Sequence, residues 1–197
     1  MRKDYEIILK LIPENSKVLD IGCSDGELIS YLKSKGVSAQ GVELNQEKVI
    51  KCLEKGLDVI HGDINLIVED FPFNQFDYCL LTQTIQAVQK PDQLLNTLKK
   101  VSKNIIVSFN NSARLSKISN FLLSGSFDSL LKKADSDHWY NTDYIHPCSI
   151  KDFKKLAENL DLKIISTFDV INQRKFENGK IPSNLFCKEV LFHITDE

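Results

Sequence analysis

The sequence has little net charge: over 197 residues, 25 Lys and Arg stand against 27 Asp and Glu, a formal charge of −2 at pH 7. No field of that size holds a phosphate backbone or an anionic membrane surface, so neither nucleic acid nor membrane is an expected partner. Cysteine supplies no framework. The five cysteines, at 23, 52, 79, 148 and 187, are odd in number and form no C-x-x-C or Cys/His pair at zinc-ligand spacing, which argues against a disulfide scaffold and against a metal site. No apolar run approaches the ~18–20 residues of a membrane span. Met1 is followed by Arg2, Lys3, Asp4 and Glu6 rather than by the apolar core of a secretion signal. The expectation is a reduced, cytoplasmic protein. No fixed-period repeat is present, and only 110–148 is enriched in Ser, Asn and Asp.

What is present is a core and a rhythm. A chain of this length with 42% hydrophobic residues buries roughly 70% of its unfolded surface and folds as one domain without staples. Ile7, Ile8, Leu11 and Ile12 recur at helical spacing before Pro13, which predicts an amphipathic lead-in helix. Then strand and helix alternate. Strands are expected at 17–21, 39–44, 57–61, 76–81 and 104–109, with helices at 27–35, 46–55 and after Pro91. Ser149 caps a further helix carrying Phe153, Leu156 and Leu160. Strands at 162–170 and 185–194 close the chain, paired antiparallel. The fold class is therefore α/β: one doubly wound, mostly parallel sheet of seven strands, its last strand antiparallel, within a single domain over 1–197. The segment 110–148 is the one long departure from the rhythm, and it reads as a lid or partner-binding insertion.

In such sheets ligands settle beyond the carboxyl ends of the strands where the strand order reverses. Three acids fall there: Asp20 before Gly22, Glu43 ending the second strand and Asp63 after the third. Each alone is most simply a turn or cap carboxylate; together they favour a pocket. The turn Gly22-Cys23-Ser24-Asp25-Gly26 matches neither G-x-G-x-x-G nor a P-loop. Asp25 and Glu27 open the next helix, where they would repel a pyrophosphate seeking the same N–H groups. The expected ligand carries little negative charge. S-adenosylmethionine meets that description, with a sulfonium, an ammonium, one carboxylate, a ribose diol and no phosphate.

The run Val18-Leu19-Asp20-Ile21-Gly22-Cys23-Ser24-Asp25-Gly26, followed by Glu43, resembles the cofactor loop of class I S-adenosylmethionine-dependent methyltransferases. More narrowly, Gly41-Val42-Glu43, Asp70-Phe71-Pro72, Phe76-Asp77-Tyr78, Gln83-Thr84-Ile85-Gln86-Ala87-Val88, Trp139-Tyr140, Ile145-His146 and Asn184-Leu185-Phe186 resemble the MetW family of methionine-biosynthesis proteins over nearly the whole chain. The resemblance implies that Glu43 binds the ribose hydroxyls, that Asp63 faces the adenine amino group, and that Asp20 with the backbone at Gly22 organises the methionine end. Cys23, Gly26, Leu44, Ile64, Thr82 and Gln83 complete the implied cofactor contacts. It implies a partner too, homoserine O-acyltransferase; a cofactor loop without an evident catalytic base adds the expectation that this chain is a cofactor-sensing subunit. The alternative is an active methyltransferase on a small-molecule acceptor; an NAD-binding oxidoreductase has the wrong glycine spacing.

Three departures stand out. Ser24 replaces a glycine usual in the family, Asn45 stands where an acid is common, and 110–114 is unlike the aromatic, proline-containing stretch expected there. His61 is placed at the cofactor rim, and His193 in a strand. His138 and His146 bracket Trp139, Tyr140 and Tyr144 in the insertion. Cys148 after Pro147 is a weak candidate nucleophile, and no catalytic base stands out.

Overall fold

A computed structural model describes residues 1–127, 146–176 and 184–196. The chain alternates as its pattern dictates: α1 (Lys3–Leu11), β1 (Lys17–Ile21), α2 (Glu27–Ser34), β2 (Ser38–Glu43), α3 (Gln46–Glu54), β3 (Asp58–His61), α4 (Ile64–Ile67), β4 (Phe76–Thr82), α5 (Pro91–Val101), β5 (Ser102–Asn110) and α6 (Leu115–Ser124). After the insertion come α7 (Ile150–Asn159), β6 (Lys163–Asp169), β7 (Arg174–Phe176) and β8 (Glu189–Thr195).

The sheet order is β3-β2-β1-β4-β5-β8-β6-β7. The first five strands pair in parallel, and β8 inserts antiparallel between β5 and β6. Strand order therefore reverses between β1 and β4, which puts the switch point at Gly22 and the turn after Thr82. The sheet has eight strands where seven were expected. The extra one, β7, arises because the Asp169 carboxylate accepts from Asn172 N and Nδ2 while Gln173 takes φ 50°, a side-chain-locked turn that folds 174–176 back on β6. Sequence patterning also passed over α4, a single turn capped by Asp63.

Helices cover both faces. On one, α5 and α7 bury Leu94, Leu95, Leu98, Phe153 and Ala157 against Leu19, Leu81, Val107 and Phe192. Phe153 packs with tilted rings 4.7 Å from Phe192 and 5.3 Å from Phe109, centroid to centroid. On the other face α1 and α2 set Tyr5, Ile7, Ile8, Leu28 and Leu32 on Val18, Leu80, Ile106 and Leu191. Ser149 and Asp152 form a reciprocal capping box at α7, as the sequence predicted. Of the insertion, α6 buries none of its residues and exposes Leu115, Leu122 and Leu123; the expected lid residues His138, Trp139, Tyr140 and Tyr144 lie outside the described residues. No described helix is long and apolar enough to cross a membrane.

Candidate functional site

Alternation along the strands decides which side chains meet under α1. Val18, Leu80, Ile106 and Leu191 face it from four adjacent strands. Two residues nearer the carboxyl edge of the parallel strands, the same face carries Asp20, Thr82, Ser108 and Glu189. An apolar row thus gives way to a polar one. Asp20, Thr82 and Ser108 are buried, at 1%, 5% and 0% exposure.

The first turn of α1 roofs this row. Asp4, 1% exposed, takes Arg2 Nη2 at 2.6 Å and Nε at 3.1 Å, its neighbour Tyr5 N at 3.1 Å and Ser108 Oγ at 3.0 Å. Arg2 also donates to the Tyr5 hydroxyl and lies 4.4 Å over the Tyr5 ring. Asp20 is less well served: its Oδ1 meets no donor among the described residues. Burial pushes its carboxyl up to about 7; Arg2 opposes this, and Asp4 and Glu43 add to it.

Glu189 stands at the β8 end of the same row. Gln83 Nε2 donates to its Oε1 at 2.8 Å, and Asn110 Nδ2 donates to Gln83 Oε1 at 2.8 Å. Gln83 itself sits at φ 59°, a left-handed conformation that costs a non-glycine residue about 1 kcal/mol. Burial, with Asp4 nearby, raises the Glu189 carboxyl to about 7 against the pull of Arg2, the Gln83 amide and Lys188.

The loop after β1 is built on glycine. Gly22 has φ 74°, and a Cβ there would lie 2.6 Å from Thr84 Oγ1, itself held by the carbonyls of Ile21 and Thr82. Gly22 N and Cys23 N both donate to Val42 O, at 2.8 and 3.2 Å, which ties the loop to β2. Ser24 takes a left-handed backbone at φ 53° and donates its N–H to Glu43 Oε2 at 2.8 Å. Asn45 N gives Glu43 Oε1 a second bond at 2.9 Å. Glu43 is thereby fixed at the rim of the loop with half of its lone-pair sites still open to hydroxyl donors.

Other expected site residues play different local parts. The Cys23 side chain turns away into a small cluster with Ile29, Cys52 and Leu57, so only its backbone borders the loop. Gly26, at φ 76°, would drive a Cβ to 2.4 Å from Leu57 Cδ1; its place in the motif is explained by helix–strand packing. Leu44 is 65% exposed, and its carbonyl lies 3.0 Å from His61 Nε2 at the ends of β2 and β3. Asp63 Oδ1 accepts from Asn65 N and Nδ2, the cap reading; Ile64 is buried in the core. Asn45 caps α3. His193 bonds Asn104 within the sheet, and His146 Nε2 lies 3.1 Å from Gln89 O. Burial raises the Cys148 thiol to about 12, which leaves almost no thiolate for nucleophilic attack. No group of metal-ligating side chains occurs among the described residues.

The arrangement therefore gathers Asp20, Gly22, Glu43, Thr82 and Gln83 at the switch point and adds Arg2, Asp4, Tyr5, Ser108, Asn110 and Glu189, which sequence reasoning missed. One signal was available: Asp4 precedes Ile7, Ile8, Leu11 and Ile12 by three, four, seven and eight residues, so it shares their buried helical stripe. A charge there needs a partner.

Solved structures share this fold. A TehB-like S-adenosylmethionine-dependent methyltransferase from Corynebacterium glutamicum superposes with a TM-score of 0.66 at 14% identity, over 100% of this chain and 89% of that one. An S-adenosylmethionine-dependent methyltransferase from Methanosarcina mazei does so at 0.67 and 16%, covering 96% of each chain. The [4+2]-cyclase SpnF also matches, at 0.68 and 13%, over 98% of this chain and 79% of that one. By sequence, a bifunctional methionine biosynthesis protein MetXA/MetW from Rhodopirellula baltica is 31% identical over 202 residues, 96% of this chain. This chain spans only 32% of that relative's length. The family model described as methionine biosynthesis protein MetW matches residues 2–194, and the chain belongs to that family.

Proposed function

We propose that this chain binds S-adenosylmethionine at the β1–β4 switch point and serves methionine biosynthesis as the cofactor-sensing partner of homoserine O-acyltransferase. The observation that carries the cofactor assignment is Asp20: a buried carboxylate oxygen without a donor, beside a glycine turn, is suited to a ligand that brings its own cation. The donor set fits the rest of the molecule. Gly22 leaves room for close backbone approach, and Glu43, oriented by the N–H groups of Ser24 and Asn45, offers acceptors to a ribose diol. Asp63 is the proposed partner of the adenine amino group, and Leu44, Ile64, Thr82 and Gln83 are the further proposed contacts. When bound, the cofactor supplies an activated methyl group and a positive charge. The protein's own part is to orient it and to compensate that charge.

Two observations support the partnership. A relative of 31% identity carries the names MetXA and MetW on one polypeptide, of which this chain matches 32%. Moreover, α6 within the 110–148 insertion presents Leu115, Leu122 and Leu123 outward, which suits a docking surface. Sensing requires that the cofactor bind one state of the complex better than another. The test is calorimetric titration of S-adenosylmethionine and S-adenosylhomocysteine into the protein, alone and with the acyltransferase, with Asp20→Ala as control. Binding lost in the control and an affinity changed by the partner are the expected results. Identical acyl-transfer rates of the complex with and without cofactor would defeat the sensing role, and an Arg114→Ala protein that associates normally would move the docking surface away from the start of α6.

A further inference from the structure

The start of α1 holds more hydrogen-bond donors than its own structure uses. A guanidinium carries five N–H groups. In Arg2, Nε and Nη2 serve the two oxygens of Asp4 at 3.1 and 2.6 Å, and Nη1 serves the Tyr5 hydroxyl at 3.1 Å. Two N–H groups are left over. The Tyr5 hydroxyl accepts from Arg2, so its own proton is available, and no acceptor among the described residues receives it. Tyr5 is only 5% exposed, which keeps bulk water from answering that donor. Glu189, another acid that acts on Arg2, is bonded to Gln83 Nε2 instead. Three donors of one side-chain pair therefore lack acceptors. Their position is fixed, because Asp4 is held in turn by Ser108 Oγ and Tyr5 N, and Arg2 lies 4.4 Å over the Tyr5 ring.

The opposite deficit occurs in the same polar row. Asp20 Oδ1 is buried without a donor. Sheet register sets the two together: Asp20 pairs with Leu80 across β1 and β4, Thr82 pairs with Ser108 across β4 and β5, and Ser108 holds Asp4. A plain amine answers Asp20 alone, and a plain acid answers Arg2 and Tyr5 alone. An α-amino acid head, with ammonium and carboxylate on one carbon, answers both. We propose that Arg2 and Tyr5 receive the α-carboxylate of the bound cofactor while Asp20 receives its ammonium, which makes the start of α1 the clamp for the amino-acid end. The inference rests on the cofactor reading above and deepens it with two residues that lie ahead of the glycine-loop motif. If Arg2 served only to neutralise Asp4, the Tyr5 proton and Asp20 Oδ1 would both stay without partners. Bonds from a guanidinium to a carboxylate are charge-assisted, roughly twice the strength of neutral ones.

The test compares ligands that differ by that one group. S-adenosylmethionine, its decarboxylated form and methylthioadenosine are titrated calorimetrically into the full chain and into Arg2→Gln and Tyr5→Phe, whose folding is read from melting curves. Decarboxylation removes the carboxylate, keeps the ammonium and sulfonium, and raises the net positive charge, so a row that attracts cations alone binds the decarboxylated form better. The expected result is a native preference for S-adenosylmethionine of roughly tenfold or more. Arg2→Gln loses that preference, and Tyr5→Phe, which keeps the Arg2–Asp4 pair, reduces it. Methylthioadenosine, with neither group, binds the native and Tyr5→Phe proteins alike. The preference is a ratio within one protein, so a partly unfolded variant still reports it. A native protein that binds both forms equally, or an Arg2→Gln protein that keeps the preference, overturns the clamp and leaves the cofactor reading standing. If none of the three adenosyl ligands binds the native protein, the cofactor reading falls and the clamp with it.

Discussion

Replacing Asp20 by Asn separates two effects that a merely structural carboxylate would not show together. In the ligand-free protein the Asp20 carboxyl is raised from 3.8 to about 7, chiefly by burial. A raised carboxyl contributes stability that is complete below the unfolded-state value and is lost as pH climbs through the folded one. The native protein therefore loses stability between about pH 4 and pH 7, and Asn, which never ionises, does not share that loss. Asp20→Asn is expected to melt higher than the native protein at pH 8, by about 2 kcal/mol or roughly 4–8 °C for a chain of this size.

Binding runs the other way. A cofactor cation favours ionised Asp20, so below pH 7 its binding expels a proton. The apparent dissociation constant then scales inversely with the ionised fraction, and moving from pH 5 to pH 7 tightens binding roughly 50-fold. Arg2, Asp4, Tyr5 and Glu43 face the same carboxyl and Glu189 titrates in the same range, so the quantity to read is the difference between native and Asp20→Asn proteins. Calorimetry at pH 5, 6 and 7 gives the slope, and the variant is expected to bind more weakly with that component of the slope removed. Affinity of the native protein that is flat across this range, or a variant that melts lower and binds equally well, would refute the assignment of Asp20.

Other substitutions probe the scaffold. Gly26→Ala combines φ 76° with a Cβ placed 2.4 Å from Leu57 Cδ1, and is expected to cost about 2–4 kcal/mol in chemical denaturation; a loss below about 0.5 kcal/mol would show that α2 and β3 shift freely. Ser108→Ala removes the hydroxyl bonded to buried Asp4 and is expected to cost about 1–2 kcal/mol, with a normal melting curve as the contrary result. The thiols of Cys79, Cys148 and Cys187 are each raised to about 12 by burial, so iodoacetamide at pH 8 leaves them unlabelled in the folded protein. Rapid mass-spectrometric labelling of Cys148 would restore it as a nucleophile candidate.

The layered sheet was legible because hydrophobic period announces strand and helix locally. The segments 17–21 and 76–81 read as buried strands, and Ser149 and Pro91 marked helix starts where the structure has them. The short β7 was illegible because its turn depends on the Asp169 carboxylate and on a left-handed Gln173, neither of which has a periodic signature. The acids of the loops were legible one by one. Their meeting with α1 was not, since Asp4 and Ser108 are 104 residues apart in sequence and only the sheet order brings them together. Gly26 was legible as a motif glycine, but its close packing against Leu57 Cδ1 was not, because Leu57 lies 31 positions further along the chain.

The shared fold does not settle the reaction, because it is found both in proteins named as methyltransferases and in one named as a cyclase. The polar row beneath α1 is where buried charge meets a helix start in this chain. Arg2 and Asp4 anchor the start of α1 over that row, while Lys3 and Glu6 reach the β6–β7 hairpin through Ile171 O and Gln173. A cation that relieves Asp20 removes repulsion from Asp4 and so strengthens the seat of the helix. The same helix is tied to a hairpin at the far edge of the sheet, so ligand binding and the order of that edge become linked quantities. If the proposed cofactor binds at Asp20, reciprocity follows: whatever docks where it stabilises α1 or the hairpin would tighten that binding by the same factor by which the cofactor tightens docking.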